Sequence, residues 1–157
     1  MNKALERDKE KILDLVTGQI LIDEGFRRKA YWDRTHYSIG YGTPAKSKNQ
    51  EIAEPEARSE AIKCVQDAFD SFETEYASFY PEIGVARAAC LVNLIYNLGR
   101  TGLKAFKRFN RFLSLGQYEA AAYELWESKW YIDVGGHAGY NPKNRGQRIV
   151  RSIATGV

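Results

Sequence analysis

The apolar period of this chain is helical almost throughout and fails in one window, residues 26–52. A 3.6-residue period buries one stripe of a helix, whereas a period of two buries one face of a strand. A single interruption therefore predicts one small sheet inserted into an otherwise helical protein, an α+β chain. Leu5, Ile12, Leu13, Val16 and Ile20 predict a first helix from about residue 4 to about residue 23, with Gly18 inside it and Gly25 as its stop. In the window itself, Ala30, Tyr31, Trp32, Tyr37, Ile39 and Tyr41 suit strands, while Gly40, Gly42 and Pro44 punctuate turns. A small antiparallel sheet is expected there, followed by a polar loop over 43–51.

The helical period resumes at Glu54-Pro-Glu-Ala-Arg, where Pro and acids mark a first turn. Ala57, Ala61, Ile62, Val65, Ala68, Phe69 and Phe72 carry the stripe to about residue 77, and Phe79-Tyr-Pro81 ends it. Arg87 to Leu98 is apolar on more than one side and predicts a central buried helix, closed by Gly99-Arg-Thr-Gly102. Shorter helices are expected at about 104–113, 117–127 and 144–154, with a Gly-rich loop over 132–143. The expected organisation is one domain over 1–157. It has an α+β lobe at about 18–60, a connecting helix at about 55–78, and a helical lobe at about 80–157 that packs with residues 4–17.

Charge separates along the chain. Residues 1–86 carry 12 Lys/Arg and 16 Asp/Glu, and residues 87–157 carry 11 and 4, so a net −4 half precedes a net +7 half. A basic half favours an anionic partner: nucleic acid, an acidic membrane surface or an acidic wall polymer. Cys64 and Cys90 sit among apolar residues and read as small buried hydrophobes. His36 and His137 are the only histidines, too few for a His-rich metal site. The charged start, Met1-Asn-Lys-Ala-Leu-Glu-Arg, is neither a secretory signal nor an anchor, so synthesis and storage in the cytoplasm are expected.

Glu24 ends the first helix, and Asp33 follows nine positions later, ahead of Tyr37-Ser-Ile-Gly-Tyr-Gly42. Two carboxylates around a cleft are the requirement of glycosidic-bond hydrolysis. The acid must hold a proton near neutral pH. Burial favours that form, and a facing arginine opposes it.

Three ordered motifs carry a resemblance. The first is Glu24-Gly-x-Arg27-x-x-x-Tyr31-x-Asp33 with Ile39-Gly40-x-Gly42. The second is Arg87-x-x-Cys90-Leu-Val-Asn93-x-x-Tyr96-Asn97-Leu-Gly99-x-Thr101-Gly102. The third is Ser128-Lys-Trp130-Tyr131 with Asn144-Arg145-x-x-Arg148 and Thr155-Gly156. From about Leu21 to Gly156 the chain resembles the phage-type lysozymes of the T-even pattern, glycoside hydrolase family 24.

The resemblance implies a lysozyme-like two-lobe fold and a phage or prophage endolysin. Such an enzyme cleaves the β-1,4 bond between N-acetylmuramic acid and N-acetylglucosamine in peptidoglycan, with inversion. It implies Glu24 as general acid, Asp33 as second carboxylate, and Ser38 in the place of the hydroxyl that positions the water. It also implies Tyr96 and Asn97 as cleft-lining sugar contacts and Arg145 as partner of the acid. Only four residues separate Asp33 from Ser38 where the family has five, and Thr35 is the other hydroxyl within reach.

No metal, nucleotide or other cofactor is implied, and nucleic acid is not an expected partner. A monomer is expected, released by a separate holin-type protein, with anionic outer-membrane lipid as a further possible contact. The competing readings are a lytic transglycosylase, which ends in an anhydro sugar, and a non-catalytic wall-binding module.

Overall fold

A computed structural model describes residues 2–157. Helix α1 spans Lys3–Glu24, and a three-stranded antiparallel sheet follows as β1 (Arg27–Asp33), β2 (His36–Gly40) and β3 (Thr43–Pro44). Then come α2 (Glu54–Tyr76), a 3-10 turn (Ala77–Phe79), α3 (Gly84–Lys104), α4 (Lys107–Ser114), α5 (Tyr118–Trp126), α6 (Lys129–Asp133) and α7 (Arg145–Thr155). The α+β class expected from the single interruption is the one observed.

Asn2 caps α1 by accepting the Leu5 N–H at 3.1 Å, and its amide donates to Ala77 O and Tyr80 O. One side chain thus starts the first helix and ties it to the break after α2. Gly18 does not interrupt α1, because Leu5, Ile12, Val16 and Ile20 are all fully buried along one stripe. Tertiary burial outweighs the roughly 1 kcal/mol that a mid-helix glycine costs.

Two apolar clusters form. The larger gathers α1, α2, α3 and the C-terminal helices around Phe69, Phe72, Leu91, Leu94, Leu103 and Phe109. The smaller holds Ile39, Tyr41, Ile52, Ala57 and Ala61 under the sheet. Helix α2 serves both: Ala57 and Ala61 face the smaller cluster, and Val65 to Tyr76 face the larger. Each fully buried Leu, Ile or Phe contributes about 1.5–3 kcal/mol, so the larger cluster dominates stability.

Several boundaries differ from the expectation. Helix α3 begins at Gly84 rather than Arg87, with Ile83 at its cap position and no side-chain cap to announce the start. It bends at Gly99 (φ 79°, ψ 161°), a conformation that a residue with a Cβ rarely adopts, and then resumes to Lys104. The helix expected from 104 therefore begins at Lys107. Residues 43–44 pair with β2, and Glu51 bridges Lys29, so the polar loop is shorter than 43–51. Helix α6 was not expected, and it takes two residues from the loop over 132–143. Ser128 caps it through the Tyr131 N–H at 3.3 Å.

Candidate active site

The end of α1 and the start of α7 meet. An acid near a helix C-terminus opposes the macrodipole, and a cation near an N-terminus does the same. Helix α1 ends on Asp23 and Glu24 with no basic residue in its last turn, and α7 starts on Arg145 with no acid in its first. Each end is unfavourable alone, and together they compensate. Arg145 donates through Nη2 to Glu24 Oε1 at 2.7 Å and through Nε to Asp23 Oδ2 at 3.2 Å. Arg148 lies on the same side three residues later and donates to both oxygens of Asp23, at 3.0 and 2.7 Å. Asn144 caps α7 by accepting the Gln147 N–H at 3.0 Å and anchors to Val134 O at 2.9 Å, which fixes where Arg145 begins.

Asp23 was not foreseen. Its side chain is 2% exposed, against 17% for Glu24. It is the hub of the cluster, also receiving the amide of fully buried Asn93 at 3.2 Å. The same amide donates to Gln19 Oε1 at 3.1 Å. The adjacent Asp-Glu pair and the i,i+3 arginines were the available signal.

The glycine-rich turn closes against the acid. Gly42 has φ +80°, and a Cβ there would lie 2.7 Å from Glu24 Oε2. No other residue allows that turn to approach the carboxyl. Tyr96 holds the same turn from α3, its hydroxyl donating to Tyr41 O at 2.7 Å. Burial first, and nearby charges including Glu24 after it, push the Tyr96 phenol well up, so the hydroxyl remains a donor. Tyr96 therefore braces the turn beside Glu24.

Asp33 stands at the end of the β1–β2 hairpin. Cross-strand partners are Tyr31 with Ser38, Trp32 with Tyr37 and Asp33 with His36. Side chains alternate faces, so Tyr31, Asp33, His36 and Ser38 share one face, while Trp32 and Tyr37 pack edge to face on the other at 5.2 Å. The turn is only Arg34-Thr35, with Arg34 at φ 59° and the Thr35 N–H returning to Asp33 O at 2.6 Å. A turn this tight keeps Ser38 on Asp33's face although the spacing is shortened. Ser38 is fully buried; its Oγ lies 3.5 Å from Asp33 Oδ2 and 3.3 Å from His36 Nε2. Thr35 Oγ1 lies 3.1 Å from His36 Nδ1. The Tyr31 phenol is pushed up by burial, then by the charges of Glu24 and Asp33, and is drawn back by Arg27 and by the Ser38 hydroxyl. Arg27 lies 4.2 Å over its ring.

A cleft of about 420 Å³ separates this hairpin from the helices opposite. Asp33, Arg34, Thr35 and His36 form one wall, and Asn97, Ser128, Trp130 and Asp133 belong to the other. Asn97 is exposed, and its Oδ1 accepts the Trp130 indole N–H at 2.8 Å, which leaves its amide N–H groups for a ligand. Arg34 reaches Asp133 at 3.2 Å, the one ion pair found between these walls among the described residues. Glu24 does not line this cavity; it stands against the Gly42 turn. His137 and Tyr140 line a separate cavity with Arg148 and Arg151. The loop that carries them winds around Gln147, which bonds Gly136 O, Gly139 O and the Asn141 N–H.

A partly exposed carboxyl beside an arginine, and a second carboxylate in a neutral setting across an aromatic ring, can divide acid and base work between them. The family model described as Phage lysozyme matches residues 22–145. That span runs from just before the Asp23–Glu24 pair to Arg145, and so holds both carboxylates and both walls of the cleft.

Proposed function

The chain belongs to the phage lysozyme family of peptidoglycan-hydrolysing endolysins, and on that premise we propose that it is a muramidase with Glu24 as its acid. The bond cut is the β-1,4 linkage between N-acetylmuramic acid and N-acetylglucosamine. Glu24 gives its proton to the leaving glycosidic oxygen. A water attacks the anomeric carbon from the opposite face of the sugar and passes its proton to Asp33, which inverts the configuration. Ser38 is shielded from solvent, so it acts through Asp33: its hydroxyl holds Oδ2 and leaves Oδ1 to accept from the water. Asn97 offers its amide to an N-acetyl group, and Tyr96 braces the turn beside Glu24 through the Tyr41 carbonyl.

The observation that carries this reading is the shared grip on Arg145. Asp23, Glu24, Arg145 and Arg148 form a cluster that is formally neutral when Glu24 is ionised and singly positive when Glu24 holds its proton. Proton donation therefore ends in the compensated state.

The net +7 half suits an anionic wall polymer and, in Gram-negative hosts, anionic outer-membrane lipid. Among the described residues no helix is long and apolar enough to cross a membrane. Access to the wall from the host cytoplasm then depends on a separate holin-type protein. The working unit is a monomer.

The test is digestion of purified peptidoglycan, followed by mass spectrometry of the fragments and NMR of the first anomer released. Reducing N-acetylmuramic ends of α configuration are expected. Anhydro ends would instead make the protein a lytic transglycosylase, and β-configured reducing ends would make it a retaining hydrolase.

A further inference from the structure

The Asp33 hairpin holds a group that the muramidase reading does not use. His36 is the direct cross-strand partner of Asp33 and shares its face. Its ring is exposed in the cleft, yet both ring nitrogens are engaged: Nδ1 lies 3.1 Å from Thr35 Oγ1 and Nε2 lies 3.3 Å from Ser38 Oγ. Ser38 Oγ in turn lies 3.5 Å from Asp33 Oδ2.

Proton counting sets the direction of this chain. An ionised carboxylate only accepts, so the Ser38 proton points at Asp33. Ser38 Oγ then has only lone pairs to offer His36, so Nε2 carries the imidazole proton and donates it. Nδ1 is left as an acceptor, and the Thr35 hydroxyl donates to it. Each member has one role, and the chain ends on the carboxylate. A serine hydroxyl alone rotates among three staggered positions. The Tyr31 phenol is a competing neighbour of this hydroxyl, and donation from His36 favours the rotor position that accepts from Nε2 and donates to Oδ2.

We propose that His36 is a positioning residue for hydrolysis, which locks the Ser38 hydroxyl onto Asp33 and so fixes the carboxylate oxygen that receives the proton of the attacking water. This rests on the reading of Asp33 as the base-side carboxylate. It also gives the shortened spacing a purpose. The two-residue turn that removes one position between Asp33 and Ser38 brings His36 directly opposite Asp33.

The experiment is a double-mutant cycle on His36 and Ser38, read as kcat and KM for release of new reducing ends from solubilised wall glycan. His36→Ala is expected to lower kcat about tenfold with KM within about twofold, the scale of one lost positioning hydrogen bond. In a Ser38→Ala background the same change is expected to do almost nothing, because its only route is gone. His36→Gln, which keeps an N–H donor at similar reach, is expected to recover most of the loss.

Independent, multiplying effects of the two substitutions would overturn the proposal, as would a His36→Ala enzyme with full kcat or with a change in KM alone. Thermal unfolding of each variant shows whether the fold is kept, and the glutamine variant carries the test if the alanine one is unfolded. Asp33→Asn separates the two levels of argument. If it retains full kcat, the assignment of Asp33 fails and this proposal with it. If it is slow while His36 and Ser38 multiply, only the role of His36 fails.

Discussion

The two carboxylates are held by opposite means. Glu24 ends a helix, 17% exposed, under an arginine that is itself 10% exposed. Asp33 stands on a hairpin tip among hydroxyl and imidazole groups, and the ion pair beside it, Arg34–Asp133, has an arginine that is 65% exposed. Charge compensation fixes Glu24, and register fixes Asp33. The lesson is that Glu24 depends on paired ions brought from the far end of the chain, whereas Asp33 depends on neutral dipoles supplied by its own hairpin.

Substitutions can break this contrast. Glu24→Gln keeps the shape and the Arg145 contact but has no proton to give, so lysis of permeabilised cells should fall about 10³-fold with little change in stability. Near-normal clearing by that variant would remove Glu24 as the acid. Arg145→Met should come next, this time in stability. It leaves Glu24 without its cation beside a nearly buried Asp23, and a loss of about 3 kcal/mol is expected in a urea melt. A melt that does not move would mean the cluster is solvated and the contrast is false.

Asp33→Asn should lower kcat about 10²-fold, less than the Glu24 change, because a positioned water still has the Ser38-supported amide oxygen beside it. A larger loss than at Glu24 would reverse the ranking of the two carboxylates. Asp133→Asn breaks the exposed pairs with Arg34 and Lys129 on the Asp33 side and should cost under about 0.5 kcal/mol, a difference that added salt erases. A salt-independent loss as large as that of Arg145→Met would show that the hairpin too is held by charge.

The same contrast explains what could be read in advance. The end of α1 was legible because Leu5, Ile12, Val16 and Ile20 keep one stripe and Gly25 follows Glu24 directly. The sheet was legible because the helical period stops. Asp23 was not, since an acid next to an acid looks like ordinary surface until the arginines of α7 arrive from 122 and 125 residues away. Helix α6 is five residues long, too short to impose a period, and only its Ser128 cap marks it. Ser38 was legible as a hydroxyl near Asp33. Its burial was not, because strand pairing to Tyr31 depends on a turn whose length alone does not give its register. His36 went unweighed as a site residue for the same reason, since it acquires its place only when the hairpin closes.

The Glu24–Arg145 contact joins residues 121 positions apart, and that separation has a consequence in time. A ribosome makes Asp23 and Glu24 early and the arginines that compensate them late. Until α7 has emerged, the end of α1 carries two uncompensated acids against its own dipole, and the Glu24 carboxyl lacks the cation that orients it. The contact that orients the end of the first helix is thus among the last that a growing chain can make.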